Sequence, residues 1–117
     1  MVLSVDKNKD VLDCYNAFYK SLNINSVEFT GAIEAYSFFI KAPTNTKLIL
    51  TELSTVNRHD GLWLAELCKK VSDLPIVLIT WEQLPSSIVN RLFSAVLAKP
   101  INHEDLLELV SRHGLRL

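Results

Sequence analysis

Four polar residues close four apolar runs along the chain. Asp6 follows Val2-Leu3-Ser4-Val5, Glu52 follows Leu48-Ile49-Leu50-Thr51, Thr80 follows Ile76-Val77-Leu78-Ile79, and Lys99 follows Ala95-Val96-Leu97-Ala98. Two carboxylates, a hydroxyl and an ammonium suit an electrostatic site. Carboxylates ligate hard cations such as Mg²⁺, which take several oxygen ligands; an ammonium beside them pairs with the acids instead. Lys7 follows Asp6, so the formal charges of Asp6, Lys7, Glu52 and Lys99 cancel. A divalent ion would enter a site already balanced, and Lys7 is expected in its place. The balance predicts an ion pair of Glu52 with Lys7 or Lys99, Mg²⁺ binding lost or weak, and no other cofactor.

These positions need a scaffold, and the rest of the chain alternates short apolar runs with helical spacing. Val11, Leu12, Tyr15, Phe18, Tyr19 and Leu22 form one apolar helical face. Residues 26–30 read as a short strand and Ala32–Lys41 as a second helix. A loop with Pro43 and Asn45 follows over 42–46, then a strand over 47–53. The polar stretch 54–60 reads as a loop ending at the Gly61 turn, before a third helix over 62–71. Residues 75–80 are continuously apolar, as a strand covered on both faces should be. Pro85 fits the first turn of a helix reaching Phe93, and Ala95–Ala98 is the fifth strand. Asn102 can cap a last helix, with Asp105 three residues on and Leu106, Leu107, Leu109 and Val110 following. Five strand–helix alternations predict an α/β fold: a doubly wound, flavodoxin-like five-stranded parallel sheet with helices on both faces. Function in such sheets sits at the carboxyl ends of the strands, where Asp6, Glu52, Thr80 and Lys99 all fall.

Composition narrows the function. At 117 residues the chain is one domain with a real core, and 49% apolar against 21% charged residues argues for a packed globule. A net charge of −1 without a basic patch argues against nucleic acid, and no basic amphipathic helix points to a membrane surface. An acid by residue 6 is too early for a signal peptide, and no apolar run is long enough to span a membrane, so the expected compartment is the cytoplasm. Cys14 and Cys68, each in an apolar helical pattern, are expected to be buried reduced thiols. His59, His103 and His113 have no metal-ligand spacing with either cysteine and are expected at the surface. Cys14 lacks a neighbouring base, and Ser54-Thr55 lack nucleophile-elbow glycines. With only Gly31, Gly61 and Gly114, there is no glycine-rich phosphate loop for a nucleotide or flavin. Trp63 reads as core or, failing that, as an exposed anchor. Trp81, just past a strand end, reads as a cover for the site or as a ring offered to a partner.

The stretches Val2-Leu3-Ser4-Val5-Asp6, Leu48-Ile49-Leu50-Thr51-Glu52-Leu53, Asp60-Gly61, Ile76-Val77-Leu78-Ile79-Thr80 and Ala98-Lys99-Pro100, in that order, resemble the CheY-like receiver domain of two-component response regulators. The resemblance runs the whole chain. It implies a domain that takes a phosphoryl group from a histidine kinase onto an aspartate, with a divalent cation held by two N-terminal acids. On that pattern Asp6 matches the first acid and Lys7 replaces the second, leaving a vestigial acidic pocket. Glu52 replaces the phosphoacceptor, and Thr80 and Lys99 match the phosphate-contact residues. Trp81 stands where a small residue is usual, as a site cover crowding the approach to Glu52. Val96 stands where an aromatic ring is common. The segment from Thr80 to Lys99 is shorter than the family pattern, and the Glu52–Gly61 loop longer.

These departures imply a degenerate receiver in signal transduction, with no catalytic residue and no enzymatic activity, acting through phosphorylation-independent protein–protein contact. Implied partners are an output domain, a kinase or another receiver, with a homodimer through the helix four, strand five and helix five face, residues 86–110. Residues 1–117 form a single domain, free-standing or the N-terminal part of a larger protein. The alternatives are a small flavodoxin-like ligand-binding or enzymatic domain, or a stand-alone adaptor binding a histidine kinase.

Overall fold

The computed structural model describes residues 1–53 and 60–113. Most of the loop expected over 54–60, with Ser54-Thr55 and His59, lies outside them. Five strands alternate with five α-helices: β1 Val2–Val5, α1 Lys9–Ser21, β2 Ser26–Phe29, α2 Ala32–Lys41, β3 Leu48–Thr51, α3 Gly61–Lys69, β4 Ile76–Thr80, α4 Ser86–Leu92, β5 Ala95–Ala98 and α5 His103–Arg112. The strands form one sheet in the order β2-β1-β3-β4-β5, every neighbouring pair parallel. The doubly wound expectation holds.

The apolar runs explain the layering. Successive side chains of a strand point to opposite faces. Leu3, Val5, Ile49, Ile76 and Leu78 therefore meet Ala35 and Phe39 of α2, Leu64 and Cys68 of α3, and Leu92 of α4 on one face. Val2, Leu48, Leu50, Val77 and Ile79 meet Tyr15 and Tyr19 of α1 and Leu106, Leu109 and Val110 of α5 on the other. The central strands β1, β3 and β4 are buried along their whole length, as continuous Val/Ile/Leu runs require.

Helix starts follow the sequence closely. Asn8, Asp60 and Asn102 cap α1, α3 and α5, their side-chain oxygens accepting from the backbone N–H of Asp10, Trp63 and Asp105. Pro85 sits one position earlier than expected, at the N-cap of α4. A 3₁₀ turn, Pro43–Asn45, occupies the expected loop. The third helix stops at Lys69, leaving Val71 exposed beyond it. Trp63 is half-buried, its ring 5.8 Å from that of Tyr36.

Cysteine placement departs from expectation. Cys68 is buried, and desolvation pushes its thiol up to about 12. Cys14 is exposed. The inward face of α1 is set by Leu12, Tyr15 and Tyr19, and at about 100° per residue Cys14 points well away from it. His103 is exposed and lies against Phe18, whereas His113 is half-buried, with burial, then Arg112, lowering its pKa.

Candidate functional site

Parallel register brings the strand ends level. Val5 of β1 pairs with Thr51 of β3, and Thr80 of β4 with Ala98 of β5. The next residues leave the sheet together: Glu52 N–H donates to Val5 O at 3.1 Å and Lys99 N–H to Thr80 O at 3.0 Å. Asp6 and Glu52 are buried there, 1% and 5% exposed. Burying a charge is costly unless it is paired and hydrogen-bonded.

Every carboxylate oxygen at this site has a partner. Asp6 Oδ1 accepts from the Asn8 N–H at 2.8 Å and Asp6 Oδ2 from the Lys99 ammonium at 3.1 Å. Glu52 Oε1 accepts from the Lys7 N–H at 2.8 Å, and Glu52 Oε2 from the same Lys99 ammonium. Lys99 thus bridges both acids from the far edge of the sheet. Burial opposes its charge, but the hydrogen bonds it donates to Glu52 and Asp6 outweigh that and hold its pKa above the usual lysine value. The expected ion pair is that of Lys99. Lys7 is corrected: its side chain is exposed, and its backbone N–H is what Glu52 receives. A backbone donor carries no formal charge, so the buried cluster of two carboxylates and one ammonium keeps one net negative charge rather than the balanced sum expected.

A hard divalent cation would have to displace the partners that these carboxylates already hold. Such an ion takes six or more oxygens. Here two side-chain carboxylates are available, each already holding a backbone N–H and the shared ammonium. Among the described residues no group of three His, Cys, Asp or Glu could hold a metal.

A cavity of about 430 Å³ opens above the cluster. Asp6, Glu52, Lys99 and Thr80 line its polar side, and Val11, Tyr15, Leu53, Trp81 and Ile101 its apolar side. Thr80 is 5% exposed, and its Oγ1 accepts from the Glu82 N–H at 3.1 Å, which shapes the turn after β4. Tyr15 keeps its phenol protonated: burial, then the charge of Asp6, raises its pKa far above the usual tyrosine range. Trp81 lines this cavity. It is 73% exposed and stands between this cavity and a second of about 490 Å³ lined by Leu84, Val89, Val96 and Leu97.

Sequence reasoning brought together Asp6, Glu52, Thr80 and Lys99. It missed the α1 wall of the cavity, where Val11, Cys14 and Tyr15 recur at the three- and four-residue spacing of a single helix face.

No protein-family model and no curated protein matches the chain. Solved structures match closely in shape. A two-component response regulator from Clostridium difficile superposes with a TM-score of 0.85 at 24% identity, over 96% of this chain and 93% of that one. The Vibrio cholerae chemotaxis protein CheY4 gives 0.84 at 20% identity, over 95% of each chain. The BeF3-activated N-terminal receiver domain of Klebsiella pneumoniae RstA gives 0.82 at 17% identity, over 96% of each. Sequence order, sheet topology and these superpositions converge on one architecture, and this chain has the fold of the CheY-like response regulator receiver domains.

Proposed function

We propose that this domain is a signalling module of the receiver type that works by protein–protein contact and takes no phosphoryl group. One observation carries the reading: the Lys99 ammonium bridges Asp6 and Glu52. Phosphoryl transfer relies on positioning and on cations that neutralise developing charge. In this site the acceptor position holds a glutamate whose two oxygens are both engaged, and Lys7 stands where the cation pair would need its second acid. Mg²⁺ binding is lost or weak on this reading, and the domain is not an enzyme.

The partners fitting this reading are an output domain, a kinase or another receiver, met in the cytoplasm. The face of α4, β5 and α5 suits such contact, with Leu107 exposed on α5 and with Trp81, just past β4, exposed at the second cavity. A homodimer through the same face is the related expectation. Among the described residues no helix is long and apolar enough to cross a membrane.

Incubation with acetyl phosphate and Mg²⁺, followed by intact-mass measurement, tests the central point. The expected mass is unchanged. A stable phosphoryl adduct that disappears in Glu52→Gln would overturn the reading.

A further inference from the structure

We propose that the cavity above Lys99, Asp6 and Glu52 binds a small, uncharged aromatic molecule carrying one hydrogen-bond acceptor. This goes beyond a contact module, because it gives the site a chemical input in place of a phosphoryl group.

Size and lining come first. At about 430 Å³ the cavity lies within the range of small-molecule sites, which pair apolar walls with a few placed polar groups. Val11, Tyr15, Pro100 and Ile101 supply apolar wall, and the Trp81 indole, 73% exposed, stands at the rim with area to stack on. Planar rings stack favourably on such a side chain.

Charge then selects the ligand. Among the described lining residues three acids, Asp6, Glu52 and Glu82, face two lysines, Lys7 and Lys99. The excess is negative, so a phosphate or carboxylate ligand is disfavoured. A cation finds both buried carboxylates already bonded at every oxygen. A neutral body avoids both costs. Two donors are left to orient it. The Lys99 ammonium has three N–H groups and uses two on the acids. The Thr80 hydroxyl accepts from Glu82, and its own proton has no acceptor among the described residues. Both residues line the cavity, so a ligand carbonyl or phenol oxygen is the natural acceptor.

Cys14 gives the experiment a built-in reporter, since its thiol is exposed and its residue lines the cavity. The probe is 6-propionyl-2-dimethylaminonaphthalene, whose emission rises in apolar surroundings and whose ketone supplies the acceptor; its control is 6-dimethylaminonaphthalene-2-sulfonate, the same frame with a negative charge. The neutral probe is expected to bind at one equivalent. At ten times its Kd, Cys14 alkylation by iodoacetamide should slow about tenfold by mass action. The sulfonate should bind about tenfold more weakly. Cys14→Trp, a change at an exposed helix position, should fill the wall and weaken neutral-probe binding about tenfold, with circular dichroism confirming the fold. Three results would each overturn the proposal: no saturable binding of the neutral probe, unchanged Cys14 alkylation with the probe bound, or equal affinity for the sulfonate. The phosphodonor experiment is a separate one. An adduct there would remove both the contact-module reading and the exclusion of phosphate from this cavity, whereas absent probe binding would remove this inference alone.

Discussion

Lys99 and Asp6 stand 93 positions apart in sequence, and the ammonium of one lies 3.1 Å from the carboxylate of the other. Their side chains are 11% and 2% exposed. Removing the cation from a buried pair leaves uncompensated charge. Lys99→Met should therefore cost about 3–5 kcal/mol in urea-induced unfolding at pH 7. The variant also frees one oxygen of each acid. Mg²⁺ should then stabilise Lys99→Met by about 1.4 kcal/mol at ten times its Kd, while leaving the unsubstituted protein unchanged in a thermal melt.

Gly61 predicts a second cost. A Cβ at this position would press into the Glu52 carbonyl oxygen, with the carbonyl carbon and Thr51 Oγ1 each at 3.2 Å. The neighbour is backbone, already fixed by the Thr51 hydroxyl donating to Glu52 O at 2.9 Å and by Gly61 N–H donating to Leu53 O at 2.8 Å. Gly61→Ala should destabilise by about 1–3 kcal/mol, measured by chemical denaturation.

Alkaline pH should unfold the domain cooperatively. Burial raises the pKa of Tyr15, of Tyr19 and of Cys68, whose ordinary values are 10.0, 10.0 and 9.0, and Lys99 is raised from 10.5 by its acids against the cost of burial. In each case the folded chain holds a proton that the unfolded chain releases sooner. Their stabilisation is therefore complete below pH 9 and is lost as pH rises through the folded values. The slope approaches about 1.4 kcal/mol per pH unit for each group titrating. Urea titrations at stepped pH should show a plateau up to pH 9 and then a fall, shallower in Tyr19→Phe.

The two thiols should react on different clocks. Cys14 is exposed, while Cys68 is buried with its pKa up near 12. Thiolate is the nucleophile. Mass-resolved alkylation at pH 8 should label Cys14 in the native protein and Cys68 only when denaturant opens the fold. Equal rates would contradict the placement of α1.

Trp81 separates recognition from folding. At 73% exposure it contributes little to the core, so Trp81→Ala should change stability by less than about 0.5 kcal/mol. If the ring anchors a protein partner, the same change should weaken that contact by about 2 kcal/mol or more, read by calorimetry against a candidate kinase or output domain.

Much of this arrangement was legible in the sequence. Continuous apolar runs announced β1, β3 and β4 because strands buried on both faces leave little room for polar residues, and β5 and α2 fall where patterning put them. The four site residues were legible because each ends a strand. What could not be read was partnership. Either lysine could have met Glu52, and only the register of β5 beside β4 decides for Lys99. That the residue after Asp6 contributes its N–H and turns its charged side chain outward is a backbone matter, on which residue type is silent. Cys14 was misjudged because apolar character was counted without its angle on α1.

The Lys99 bridge also sets an order of events during synthesis. Chains leave the ribosome N-terminus first, so Asp6 and Glu52 emerge long before the residue that neutralises them. A nascent chain ending before Lys99 that assembled β1 through β4 would have to bury two acids at the strand ends with no counter-charge. Such a chain keeps those strand ends open to water, and the N-terminal four-fifths of the domain cannot commit to its native burial until the last strand has been made.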